Sequence, residues 1–163
     1  VCQGYLRMQV MKGNAMSAET DLIKLYSARI LALAADMPRC GRLAKPTATA
    51  RRRAPLCGST VTVDVVFRDG VITDYGQEVK ACALGQAAAS VVGANVIGQT
   101  AAQVQFARDA LHAMLTADGP APAAPFDELK VLLPAKDYHN RHASILLAFD
   151  ATLDALQNQP VTA

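Results

Sequence analysis

Residues 60–79 limit the choice of fold more than any other stretch. Thr60-Val-Thr-Val-Asp-Val-Val-Phe67 alternates and is rich in β-branched residues, as a half-buried strand prefers. Asp69-Gly70 then follows Arg68 as a two-residue hairpin signal, and 71–79 reads as the returning strand. A lone hairpin is marginal in water, so helices must cover one of its faces. The segment 50–54 offers a third strand. Nearly every other patterned segment is helical. The order of helix, then strands, then helices predicts an α+β domain: a small antiparallel sheet of about three strands packed against about five helices.

Residues 17–36 read as the first helix. Ser17 is placed to cap it, Glu19 and Asp21 lie in its first turn, and Leu22, Tyr26, Ile30 and Leu33 follow helical spacing. Pro38 and Gly41 end it. After the hairpin, 82–93 is an alanine-rich helix of buried type. Thr100 caps another helix to about 117, with Val104, Ala107, Leu111, Met114 and Leu115 inward. A Pro/Ala loop at 119–125 precedes a short helical turn at 126–133. The last helix spans 137–156, with a stripe of His142, Ile145, Leu146, Phe149, Leu153 and Leu156. The stretch 1–16 reads as a disordered tail, or as lying upstream of a natural start at Met16. Residues 17–157 read as one domain and 158–163 as a tail.

Composition removes several classes of function. Of 163 residues, 52% are hydrophobic and 18% charged, the reverse of the balance that disorder requires. Aromatics make up 5% and Trp is absent, too few for stacking platforms on single-stranded nucleic acid. No charged residue occurs in 81–107, but glutamines, glycines and other polar residues interrupt the run, which fits a buried helix better than a membrane span. No apolar core of signal-peptide length is seen near the start. The expectation is a cytoplasmic protein with no nucleic-acid and no membrane partner. From 37 to 63 there are six basic residues and no acidic one: Arg39, Arg42, Lys45, Arg51, Arg52 and Arg53. They read as a solvated loop or as a docking patch for an acidic partner.

Cys2, Cys40, Cys57 and Cys82 form no C-x-x-C pair, so a zinc-finger spacing is absent. Cys40 sits in a loop and is assigned no role. Cys57, in Pro55-Leu-Cys-Gly-Ser59, heads the first long strand. Cys82 lies where the returning strand gives way to a helix, and a helix N-terminus is a place where thiolates form. The hairpin runs out and back, so its two ends are neighbours. Cys57 and Cys82 therefore read either as one joint site or as two small buried hydrophobes. His142 reads either as a hydrogen-bonded packing residue or, beside two thiols, as a nitrogen ligand for zinc or iron. His139 shares its face, and Arg141 could hold anionic sulfur. Ser59 could touch the site but is a poor ligand. His112 reads as surface.

These motifs, in this order, resemble the U-type iron–sulfur cluster assembly scaffolds, the NifU/SufU/IscU-like family. Asp36-Met-Pro-Arg-Cys40 is similar to a motif after the family's first helix, and Pro55-Leu-Cys-Gly-Ser59 to its Pro-x-Cys-Gly-Asp. Ala81-Cys-Ala-Leu-Gly-Gln-Ala-Ala-Ala-Ser90 is similar to the cysteine that opens its Ala/Ser-rich helix. Arg141-His-Ala-Ser-Ile-Leu-Leu147 matches the stretch around the family's third cysteine. His142 is read at that third position, and Ser59 replaces an aspartate.

The resemblance implies a NifU/IscU-like fold and a scaffold, not a turnover enzyme. It implies iron and a transient [2Fe-2S] cluster held by Cys57, Cys82 and His142. It also implies a cysteine desulfurase as sulfur donor and apo iron–sulfur proteins as recipients. The alternatives are a zinc-binding persulfide acceptor using the same three residues, and a family member that binds no metal.

Overall fold

The computed structural model describes residues 26–158. The expected roles of Ser17, Glu19, Asp21 and Leu22, and Cys2, lie outside them. Within them the chain forms helix α1 (Ala28–Ala35), strands β1 (Ala48–Arg53), β2 (Thr60–Arg68) and β3 (Val71–Lys80), then α2 (Ala83–Asn95) and α3 (Ala101–Thr116). A 3₁₀ run (Asp127–Asp137) and helix α4 (His139–Gln157) complete the order. The sheet is antiparallel with strand order β1-β2-β3, as the α+β reading expects.

Several local signals operate as the sequence suggests. Asp69 and Gly70 both take positive φ, 52° and 82°, which suits the tight turn joining β2 to β3. The Thr100 side chain accepts from Gln103 N–H while the Gln103 side chain accepts from Thr100 N–H, a complete capping box. The first helix differs from expectation. The described part of it begins at Ser27, whose hydroxyl accepts from Ile30 N–H at 3.3 Å, so no single helix runs through 26 and 27. Tyr26 therefore precedes α1. The expected turn at 126–133 becomes a longer 3₁₀ run containing Pro134, which has no N–H to give to an α-helical ladder.

The core is built around α4. Val61, Val63 and Val65 are buried on one face of β2, and α4 packs on β1 and β2 while also meeting α2 and α3. Being covered on both sides, α4 buries Ser144, Leu147, Ala148, Ala151, Thr152 and Ala155 in addition to the expected stripe. Tyr75 Oη and Thr152 Oγ1 lie 2.9 Å apart and tie the sheet to α4. Burial pushes the Tyr75 phenol well above its ordinary range, and its bond to Thr152 offsets only part of that.

On the opposite face of β2 the fully buried Asp64 carboxylate takes two bonds from Arg42, at 2.6 and 3.0 Å, and one from Leu43 N–H at 3.0 Å. Burial alone would raise the Asp64 pKa. The bonds from Arg42, Thr49 and Leu43 outweigh it and hold the carboxyl below its usual range. Three of the six basic residues, though exposed, bond within the fold: Arg39 donates to Gly93 O at 3.0 Å, Arg42 binds Asp64, and Arg52 pairs with Asp154. Lys45, Arg51 and Arg53 are exposed. Among the described residues, no helix is long and apolar enough to cross a membrane.

Candidate functional site

Strand register brings the two cysteines together. Thr60 pairs with Lys80, so the loop before β2 and the residues after β3 emerge at the same end of the sheet. Cys57 rides in the loop 54–59. Ala54 N–H donates to Ser59 O at 2.8 Å and Gly58 N–H to Ala54 O at 2.9 Å, which closes that loop on itself. Gly58 sits at φ 71°, a left-handed conformation that glycine adopts without steric cost. Cys82 is the N-cap residue of α2 and makes no side-chain capping bond. Gln86, one turn along, donates to Ala81 O at 2.8 Å and fixes the backbone beside Cys82. Among the described residues the free cysteines are Cys57, partly exposed, and Cys82, buried.

A short chain of hydroxyls joins the two sulfurs. Cys82 Sγ lies 3.5 Å from Ser144 Oγ, Ser144 donates to Ser59 Oγ at 3.0 Å, and Ser59 Oγ lies 3.2 Å from Cys57 Sγ. Each hydroxyl has one hydrogen to give. Ser144 spends its hydrogen toward Ser59, so the hydrogen in the Cys82–Ser144 contact comes from Cys82. Ser59 in turn is free to donate to Cys57. The chain therefore has a direction, with its accepting end at Cys57.

Electrostatics agree with that direction. Burial pushes the Cys57 thiol up. Hydrogen bonds from the Ser59 hydroxyl and the Ser59 backbone N–H, with the nearby Ser144 hydroxyl dipole and the Arg141 charge, outweigh burial and hold it below its ordinary value. Arg141 stands one turn before Ser144 on the same face of α4. The same charge reaches Tyr26, whose phenol is raised first by burial and then by Cys82.

Close helix packing holds Ser144 in place. A Cβ added to Gly85 of α2 would stand 2.5 Å from Ser144 Oγ and 3.0 Å from Ser144 O. Glycine is what allows α2 to lie against α4 at this level.

Of the residues expected to form one site, the structure brings together Cys57 and Cys82, adds Ser59 as a direct neighbour, and places His142 elsewhere. His142 is buried, but its Nε2 lies 3.0 Å from both Ala135 O and Lys136 O, and its ring stands edge-on to exposed His139. The reason is helical geometry: His142 and Ser144 differ by two positions, about 200° around the axis. His142 therefore turns to the 3₁₀ run while Ser144 turns to the cysteines. Ser144 is the residue that sequence reasoning passed over. Its signal was a small polar side chain inside the apolar run that follows His142.

Among the described residues, no group of three or more His, Cys, Asp or Glu side chains is placed to hold a metal ion. The donor set is two thiols and two hydroxyls. His112 is exposed, and Cys40 takes part in an isolated bridge with Gln77.

No protein-family model matches the chain, and no curated protein does. Solved structures do. A nitrogen-fixing NifU-like protein (N-terminal) from Brucella abortus is 51% identical, with 84% of this chain and 95% of that one covered and a TM-score of 0.82. A candidate iron–sulfur cluster assembly scaffold protein for the SUF system from Fervidobacterium islandicum is 21% identical, covering 82% and 98%, with a TM-score of 0.72. A hypothetical protein is also 21% identical, covering 83% and 99%, with a TM-score of 0.71. At 21% identity the last two speak to the fold alone.

Proposed function

The chain belongs to the NifU/SufU/IscU-like family, and from that membership we propose that it is an iron–sulfur cluster assembly scaffold whose working groups are the thiols of Cys57 and Cys82. The observation that carries this reading is the pairing itself: two free thiols, one partly exposed and one buried, joined through Ser59 and Ser144. The 51% identity to the nitrogen-fixing NifU-like protein from Brucella abortus supports the role.

Cys57 is the sulfur acceptor. It is the accessible thiol of the pair, and its surroundings favour the thiolate, the form that attacks sulfur. The donor is the persulfide of a cysteine desulfurase. Cys57 attacks its terminal sulfur, a new S–S bond forms on Cys57, and the donor cysteine leaves as thiolate. Arg141 supplies positive charge next to the anionic sulfur.

The cluster is cargo. Cys57 and Cys82 offer half of a four-cysteine set, the usual holding of a [2Fe-2S] cluster. Incomplete ligation by the chain suits a cluster that is built and handed to apo iron–sulfur proteins, with the remaining ligands supplied from outside these residues. His142 is not in this ligand set, because its Nε2 faces the carbonyls of Ala135 and Lys136. Zinc sites take three or four protein ligands. Two thiols fall short of that, so the zinc-bound acceptor is the weaker reading.

The test is sulfur transfer from a cysteine desulfurase with cysteine as substrate, read by peptide mass. Trypsin cuts after Arg53, Arg68, Lys80 and Arg108, so Cys57 and Cys82 fall in separate peptides. The expected result is one added sulfur on the Cys57 peptide of the Cys82→Ser variant. No added sulfur on either peptide, in the wild type or in the variant, contradicts the proposal.

A further inference from the structure

We propose that Cys57 and Cys82 act as a dithiol that reduces the accepted sulfur to sulfide, with Cys82 as the resolving thiol; this rests on the reading of Cys57 as sulfur acceptor. A sulfur that arrives as persulfide is sulfane sulfur, whereas the bridging atoms of an iron–sulfur cluster are sulfide. Two electrons must be added between those states, and a second thiol beside the first is the simplest source of them.

The geometry supplies that second thiol. The two sulfurs sit at the ends of one hydroxyl pair: Cys82, buried, lies 3.5 Å from Ser144 Oγ, Ser144 donates to Ser59 at 3.0 Å, and Cys57 lies 3.2 Å from Ser59 Oγ. Cys82 is buried, so an external donor meets Cys57 first. Cys82 is then in place to attack from the inside.

The chemistry balances without any further reactant. Cys82 sulfur attacks Sγ of the Cys57 persulfide. A Cys57–Cys82 disulfide bond forms, the bond from Cys57 Sγ to the sulfane sulfur breaks, and the electron pair leaves with hydrosulfide. The sulfane sulfur is reduced, and the two cysteine sulfurs are oxidised to the disulfide. The proton of Cys82 has a path to the departing hydrosulfide through Ser144 and Ser59, in the direction in which their hydroxyls already point. A dithiol reductant resets the pair. Attack on the outer sulfur instead would only move the persulfide to Cys82 and release nothing, so sulfide release distinguishes the two routes.

The experiment treats the full chain, anaerobically and with its free thiols reduced, with glutathione persulfide, and reads sulfide and tryptic peptide masses together. The Cys57→Ser/Cys82→Ser variant sets the background. The expected result for the wild type is stoichiometric sulfide together with a cross-link between the peptide 54–68 and the peptide 81–108. Cys82→Ser should keep the added sulfur on Cys57 and release no sulfide above background. Wild-type protein that keeps its persulfide, with no cross-link and no sulfide, overturns this inference and leaves sulfur acceptance standing. If neither the wild type nor Cys82→Ser takes up sulfur, both the inference and the proposed function fall.

Discussion

The Ser144 hydroxyl donates to the Ser59 hydroxyl at 3.0 Å although 85 positions separate them, and this one bond joins the last helix to the loop that carries Cys57. It sets the direction of the hydrogen-bond chain, and it makes the reactivity of Cys57 depend on a residue of α4.

The first consequence is a pH profile. Cys57 is held below the ordinary thiol value, so more of it is thiolate at neutral pH than in the same thiol without these partners. Its stabilising contribution is present above the unfolded value and is lost as pH falls through the folded one. The rate of iodoacetamide labelling of the Cys57 peptide should have a midpoint below that of a model thiol. Ser59→Ala and Ser144→Ala should each move the midpoint upward.

Gly85→Ala tests the packing that places Ser144. The new methyl gains helix propensity of about 1 kcal/mol but meets Ser144 Oγ at 2.5 Å and Ala81 Cβ at 2.9 Å. Overpacking of this kind costs about 1–3 kcal/mol. The variant should be less stable in urea, and its Cys57 labelling midpoint should rise with the displacement of Ser144.

Replacing His142 separates a packing role from a ligand role. His142→Leu removes the bonds to Ala135 O and Lys136 O; Ala135 O keeps the Tyr138 N–H at 2.9 Å, so the part-buried Lys136 O loses most, a cost of about 1 kcal/mol. Denaturant midpoints should fall accordingly, while the Cys57 labelling profile stays as in the wild type.

Asp64 ties the acid sensitivity of the fold to one buried carboxylate. Its pKa is depressed in the folded chain, so its contribution is full above the ordinary carboxylate value of about 4 and is lost as pH falls toward the folded value. Asp64→Asn should lower stability at pH 7 and flatten the decline of stability below about pH 4. Urea titrations at neutral and acid pH measure both effects.

Much of the fold was legible because its signals are local. The alternation in 60–67, the Asp69-Gly70 turn and the Thr100 capping box each operate within a few residues. The pairing of Cys57 with Cys82 was legible because a hairpin returns to its starting end. The third corner of the site was not, because an amphipathic stripe assumes one buried face. Helix α4 lies between the sheet and two helices and buries far more than one narrow stripe, so Ser144 and His142 are both inward yet serve opposite neighbours. The helix start at Ser27 was missed for a similar reason: a capping serine inside a helical pattern reads as an ordinary helix residue until its hydroxyl is seen on Ile30 N–H.

The most direct test of the scaffold itself is the iron and sulfide content and the absorption spectrum of the chain after anaerobic reconstitution with iron, a cysteine desulfurase, cysteine and a small thiol, beside the Cys57→Ser/Cys82→Ser variant. The account predicts iron and sulfide in equal amounts with a sulfur-to-iron charge-transfer band in the wild type, absent from the variant. A wild type without the band, or a variant that keeps it, contradicts the account.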